Sequence, residues 1–139
     1  MNNSMDDQST YIALKESNYL FAVPMDAVRS ILMGGQNLPY TMIPNAPDNK
    51  KYVLELNKQL ITVIQIPGVC RDIPIEGSFI VLLEHSGRNI GILASETHLA
   101  SVSTDKILYD KISGQKSFMY NGAIHIVLDI CQLYKELDL

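Results

Sequence analysis

The stretch Lys116-Ser-Phe-Met-Tyr-Asn-Gly-Ala-Ile-His-Ile-Val-Leu128 decides the fold class of this chain. Two short apolar runs flank Asn121-Gly122, and Asn-Gly between apolar runs is the strongest short-range signal for a two-residue β-hairpin. The same arrangement of apolar runs around turn residues occurs in the ranges 11–23, 52–66 and 78–94. We therefore predict an all-β protein built on four hairpins.

Proline and glycine near residues 67–77 separate the first two hairpins from the last two. This break predicts two small, interleaved β subdomains. Because each half alone is too short to bury a sufficient core, we expect the two to share one core. The polar, acidic residues 1–10 are expected to form a disordered tail, and residues 11–139 a single folded unit.

Two short helices are expected beside the strands. In the range 26–32, apolar residues at helical spacing follow Pro24, and Gly34-Gly35 would end the helix. The range 129–137 carries apolar residues at i, i+3, i+4 and i+7, with Asp129 placed to cap the helix. The proline-rich range 38–47 predicts a connection and not a central strand.

The composition excludes several classes of protein. The chain has 139 residues, of which 47% are apolar and 19% are charged, so it can bury a core and is not a disordered chain. Its net charge of −4 gives no basic surface for nucleic acid or anionic lipid. No apolar run is long enough to cross a bilayer, and residues 1–10 lack the pattern of a secretion signal. We expect a cytoplasmic protein without direct membrane insertion.

No catalytic motif occurs in the sequence, and no cofactor or metal is expected. Cys70 and Cys131 lie in apolar stretches and are expected to be buried thiols. The three histidines, His85, His98 and His125, are not spaced as ligands of one metal. His125 lies within a predicted strand, where a structural histidine is the favoured interpretation over a general base. The chain is therefore expected to act through contacts and not through catalysis.

The order of segments resembles the CheW-like domain family, the coupling proteins of bacterial chemotaxis. Four ranges carry the resemblance, which extends from Tyr11 to Leu137: 19–31, Ile43-Pro-Asn-Ala-Pro47, 87–93 and 122–133. Two departures stand out. The usual Val-x-Glu-Ile pattern reads Val28-Arg-Ser-Ile31, with Ser30 at the glutamate position, and the usual Arg-Gly turn reads Asn57-Lys58.

This resemblance implies two five-stranded SH3-like barrels that share a hydrophobic core. It also implies a non-enzymatic adaptor that couples the cytoplasmic tips of chemoreceptors to the regulatory domain of a CheA-type histidine kinase, recruited to membrane receptor arrays. Val28, Ser30, Asn57 and Lys58 would then lie at or near the partner contacts.

Two alternatives remain open. The lost glutamate and the lost Arg-Gly turn fit a divergent CheW-like module that serves another signalling complex. A small β-barrel ligand binder or enzyme that uses His125 is the third hypothesis, and it requires a deep polar pocket around that residue.

Overall fold

In a computed structural model, the chain is described over residues 7–35, 38–43, 52–66 and 73–137. These residues form twelve β-strands and one α-helix, together with short 3-10 segments. The strands are β1 (Gln8–Glu16), β2 (Tyr19–Pro24), β3 (Val28–Met33), β4 (Tyr40–Met42), β5 (Tyr52–Leu56), β6 (Gln59–Gln65), β7 (Phe79–His85), β8 (Arg88–Ala94), β9 (Glu96–Ser103), β10 (Leu108–Tyr109), β11 (Lys116–Tyr120) and β12 (Ala123–Val127), and the helix is α1 (Ile130–Glu136).

The strands form two sheets that are interleaved along the chain. The first sheet has the order β10-β11-β12-β2-β1-β9, and the second has the order β3-β7-β8-β6-β5-β4. Each sheet has six strands within the described residues, where the resemblance implies five; the number includes the two-residue β10 and the three-residue β4. Both ends of the chain thus build the first sheet, and its middle builds the second.

All four predicted hairpins are present: β1–β2, β5–β6, β7–β8 and β11–β12 are antiparallel neighbours. At Asn121-Gly122 both turn residues have positive φ, 51° and 76°. This is the type I′ geometry that matches the twist of the flanking strands. The turn at Asn57-Lys58 has the same geometry, with φ of 50° and 64°.

The predicted helix over 26–32 is wrong. Met25–Ala27 form one 3-10 turn, and β3 begins at Val28 and pairs with β7. Exposure alternates along β3 with a period of two, which is the pattern of a strand. A helix of this length is marginal by itself, so pairing with the buried β7 decides the conformation.

Two predicted boundaries can be compared with the observed strands. β1 begins at Gln8, so residues 8–10 of the expected tail lie in a strand that pairs with β9. The predicted break near 67–77 lies between β6 and β7, which belong to the same sheet, and its residues 67–72 are outside the described residues. The first and fourth hairpins share a sheet, as do the second and third.

A single central cluster joins the two sheets, and each sheet has a second cluster of its own. The central cluster contains buried residues of β1 and β2, of β6, β7 and β8, and of α1. Its members are Ile12, Leu14, Val23, Ile64, Ile66, Val81, Leu83, Ile90, Ile92, Ala94, Leu128, Leu133, Tyr134 and Leu137. The expected shared core is therefore present.

Cys131 is exposed, contrary to the expected buried thiol. It is the second residue of α1, near the start of the helix, whereas the core-facing Leu133 and Tyr134 lie further along it. Its Sγ is 3.7 Å from Nε2 of His85. Cys70 lies outside the described residues.

Candidate interaction surface

The four residues expected at partner contacts lie at one end of the second sheet. β3 runs antiparallel to β7, so its first residues lie beside the last residues of β7. β6 and β8 are parallel, so the turns that precede them, Asn57-Lys58 and Ser86-Gly87, lie at this same end. We call this region, from the start of β3 to the two turns, the turn end of the second sheet.

Asn57 and Lys58 lie on the surface, in the tight turn between β5 and β6. Both are exposed, and β5 and β6 pair directly on either side of them, from Leu56 and Gln59 onward. A two-residue turn of this kind fixes the backbone of both residues relative to the sheet. The turn can therefore present an amide and an ammonium group to a partner.

At the start of β3, the exposed residue is Arg29, and not the expected Val28 or Ser30. Val28 is half-buried and packs against the central cluster, and Ser30 is half-buried as well. The pairing with β7 shifts between Val28 and Ser30, which makes Arg29 the additional residue of a β-bulge. Arg29 is exposed, and its Nη1 donates a hydrogen bond to Oδ1 of Asn89 at 3.3 Å.

The exposed apolar residues of β3 are Ile31 and Met33, which alternate with the inward-facing ones. Sequence reasoning missed this face because it treated the segment as a helix. No alternation of polar and apolar residues in the sequence marks this face, because the exposed Ile31 and Met33 are apolar whereas the half-buried Ser30 is polar.

Between the starts of β6 and β8 lies an open recess of about 510 Å³. Leu60, whose side chain is 76% exposed, lies in its wall, and Arg88 and Asn89 form the opposite side. Exposed Glu55 pairs with Leu60 across β5 and β6, and Arg88 lies on the other side of the recess, so charges of both signs surround this exposed leucine. An exposed apolar side chain with charged neighbours is typical of a protein interface.

Helix α1 packs against the turn end of the second sheet through Tyr134. The Tyr134 hydroxyl lies 3.0 Å from the carbonyl oxygen of Arg88 and 3.2 Å from that of Leu83. Burial raises the pKa of Tyr134 to about 12. The Asp129 carboxylate accepts a hydrogen bond from the Gln132 backbone N–H at 3.1 Å, which is the predicted helix cap.

The described residues contain no group of three or more His, Cys, Asp or Glu side chains that could hold a metal ion. His125 is buried, and its ring contacts those of Phe118 and Tyr120. Within the same part of the chain, no helix is long and apolar enough to cross a membrane.

Comparison with known proteins gives one kind of match. No family model and no curated protein matches the chain. Among solved structures, the chain is similar to the scaffolding protein TtCheW from Thermoanaerobacter tengcongensis, with a TM-score of 0.71 and 14% sequence identity. The match covers 87% of this chain and 88% of that one. The fold of this chain, with its two interleaved β-sheets, is therefore a CheW-like fold.

Proposed function

We propose that this protein is a non-enzymatic chemotaxis adaptor that couples chemoreceptor signalling tips to a CheA-type histidine kinase. The observation that carries the proposal is the structural similarity to a CheW scaffolding protein over 87% of the chain. The order of its sequence segments, which resembles that of the CheW-like family, also supports the proposal. The protein would act in the cytoplasm and be recruited to membrane receptor arrays.

The turn end of the second sheet is the surface we assign to the kinase regulatory domain. Val28 and Ser30 would support the contact from the half-buried side of β3, and Asn57 and Lys58 would reach the partner directly. Leu60 supplies an apolar centre, and exposed Arg29 and Arg88 supply charge around it. This arrangement of an apolar contact with a charged rim is typical of protein interfaces.

A calorimetric titration with the regulatory domain of a CheA-type kinase from the same cell tests the proposal. We expect binding with a Kd of about 1–10 μM. The Lys58→Glu variant should weaken it about tenfold by reversing a charge at the rim. Lys111→Glu is the matched control: Lys111 is also exposed but follows β10 in the first sheet, so this variant should bind like the parent protein.

The second candidate function is that of a divergent CheW-like module with another partner in a signalling complex. The observation that favours it is the turn itself, where Asn57-Lys58 replaces the Arg-Gly of the family, because an asparagine and a lysine do not reproduce the planar fork of arginine. Replacing Asn57-Lys58 by Arg-Gly should strengthen binding to the kinase or the receptor tip if the adaptor function is correct. A folded protein that binds neither, with or without this replacement, would contradict the adaptor function and favour the divergent module.

A further inference from the structure

A cleft of about 300 Å³ opens at one end of the first sheet. It lies where the Ser17-Asn18 turn, the Asn121-Gly122 turn and the start of β9 come together. The turn end assigned to the kinase belongs to the second sheet, so the cleft does not depend on the proposed adaptor function.

Small side chains leave the room for this cleft. Ala13 and Ala123 line it, and the cluster that belongs to the first sheet closes it below. In that cluster, Tyr11 and Phe118 pack with ring centroids 4.9 Å apart. The core of the first sheet is thus apolar and closely packed, whereas the cleft at this end is open and has polar side chains in its wall. The open end of a β structure is a common position for ligand sites.

His125 is the buried polar side chain of the cleft. It is only 5% exposed, its ring lies parallel to that of Phe118 at 6.0 Å, and the ring of Tyr120 meets it edge-on at 5.6 Å. Its Nδ1 lies 3.2 Å from the carbonyl oxygen of Ala123. Since a carbonyl only accepts, Nδ1 is the donor of this hydrogen bond, and the imidazole tautomer with its proton on Nδ1 has a lone pair on Nε2.

That lone pair is available to a ligand. Within the described part of the chain, the structure gives Nε2 of His125 no hydrogen-bond partner. No fully buried side-chain nitrogen or oxygen of the described residues lacks a partner. Nε2 therefore reaches the open space of the cleft that His125 lines.

Opposite charges stand together at the rim of the cleft. Nζ of Lys15 is 3.8 Å from Oε2 of Glu96, and Nε2 of His98 is 3.3 Å from Oε1 of Glu96. These side chains are about half exposed, so each can turn toward a bound molecule. A ligand with one charge would meet both an attractive and a repulsive group here, whereas a ligand with both charges would satisfy the two together.

We propose that this cleft binds a free α-amino acid. The ligand's ammonium group would donate to the Glu96 carboxylate and to Nε2 of His125, and its carboxylate would accept from the Lys15 ammonium. The volume is at the lower end of the range for ligand pockets, which suits a molecule of this size. The faces of Tyr120 and Leu20 would contact its side chain.

An NMR titration of the ¹⁵N-labelled protein tests this proposal. Each L-amino acid is added singly to about 10 mM, a range that detects millimolar affinity. We expect at least one to give saturable shifts at the amides of Asn18, Glu96 and Asn121. Its amide, which lacks the carboxylate, and its N-acetyl derivative, which lacks the ammonium, should each bind about tenfold more weakly.

Variants at the exposed rim keep the test independent of folding. Lys15→Met and Glu96→Gln should each weaken binding about tenfold, and the matched changes Lys111→Met and Glu136→Gln should leave it unchanged. His125→Asn should remove the shifts while the spectrum stays dispersed. Absence of saturable shifts with every amino acid would overturn the proposal. So would equal binding of the singly charged derivatives, or binding that survives both Lys15→Met and Glu96→Gln.

Discussion

Lys58 holds a backbone conformation that its side chain disfavours. Its φ is 64°, in the left-handed region where an L-residue with a Cβ costs roughly 1–2 kcal/mol. Lys58→Gly should therefore raise the free energy of unfolding by about 0.5–1 kcal/mol, after the greater entropy of glycine in the unfolded chain is subtracted. Urea unfolding followed by circular dichroism measures this change.

Lys58→Ala is the control for this prediction, because it removes the same side chain but keeps the Cβ. It should leave the stability within about 0.5 kcal/mol of the parent protein. If alanine stabilised the protein as much as glycine, the lysine side chain and not the backbone would be responsible.

Gly34 is required by the close approach of a neighbouring backbone. A Cβ at this position would overlap the carbonyl oxygen of Ile75 and lie 2.8 Å from its carbonyl carbon. Backbone hydrogen bonds hold the two segments together: the Gly34 N–H donates to the carbonyl oxygen of Ser78 at 2.9 Å, and the Gly77 N–H donates to the carbonyl oxygen of Gly34 at 3.0 Å. We expect Gly34→Ala to lower the free energy of unfolding by about 3 kcal/mol.

Gly91→Ala provides the comparison. Its Cβ would also be crowded, but by methyl groups of Ile80 and Val63, which can adjust. The expected loss is about 1 kcal/mol, measured in the same urea experiment. Equal losses at the two positions would contradict the distinction between a rigid backbone and a movable side chain.

At the candidate site, the sequence predicted the features that depend only on residues close together in the chain. Asn57 and Lys58 are exposed in a turn because turn chemistry acts over a few residues. The half-burial of Val28 and the bulge at Arg29 arise from pairing with β7, which is more than forty positions away along the chain. No periodicity over a short window contains that information.

Helix α1 and the end of β7 are coupled by one hydroxyl group. Burial raises the pKa of Tyr134 from 10.0 to about 12. Because the folded protein binds this proton more tightly than the unfolded chain, the stabilisation is complete below pH 10 and is lost as the pH rises through about 12. We expect the fall in stability over this pH range to become shallower in Tyr134→Phe, measured by urea unfolding at several alkaline pH values.

At neutral pH the same variant should lose about 1 kcal/mol, because the carbonyl groups of Leu83 and Arg88 lose a hydrogen-bond donor. Tyr109→Phe is the control, since Tyr109 is exposed on β10 and should leave both the neutral value and the alkaline slope unchanged. A Tyr134→Phe variant with the parent's alkaline slope would show that other groups cause the decline.

Strand β3 shows which elements the sequence could not assign. The hairpins were predictable because each joins strands that are neighbours in the sequence, with turn residues between them. β3 has no such neighbour: it pairs with β7, and the weak helical spacing over seven residues was the remaining local signal. The assignment of an isolated edge strand requires knowledge of its partner.

At the scale of the whole molecule, the grouping of hairpins depends on contacts that are distant along the chain. The sequence predicted two interleaved β units with one core, and the central cluster confirms the shared core. Parallel pairing of β12 with β2 and of β6 with β8 decides which hairpins share a sheet. Because these pairs join segments that are far apart in the sequence, the pattern within a short stretch could not predict which strands belong to which sheet.

The central cluster also predicts that the two sheets unfold as one unit. Leu14 of β1 is fully buried in this cluster, between residues of both sheets. Leu14→Ala should lower the free energy of unfolding by about 3 kcal/mol, through lost burial and the cavity that remains. Native-state hydrogen exchange at Leu54 and Phe118, which lie in the clusters specific to the second and first sheet, should report the same loss at both amides. Leu60→Ala makes the same chemical change on the surface and should alter neither value. A loss confined to Phe118 would mean that the first sheet opens alone and that the second is stable without it.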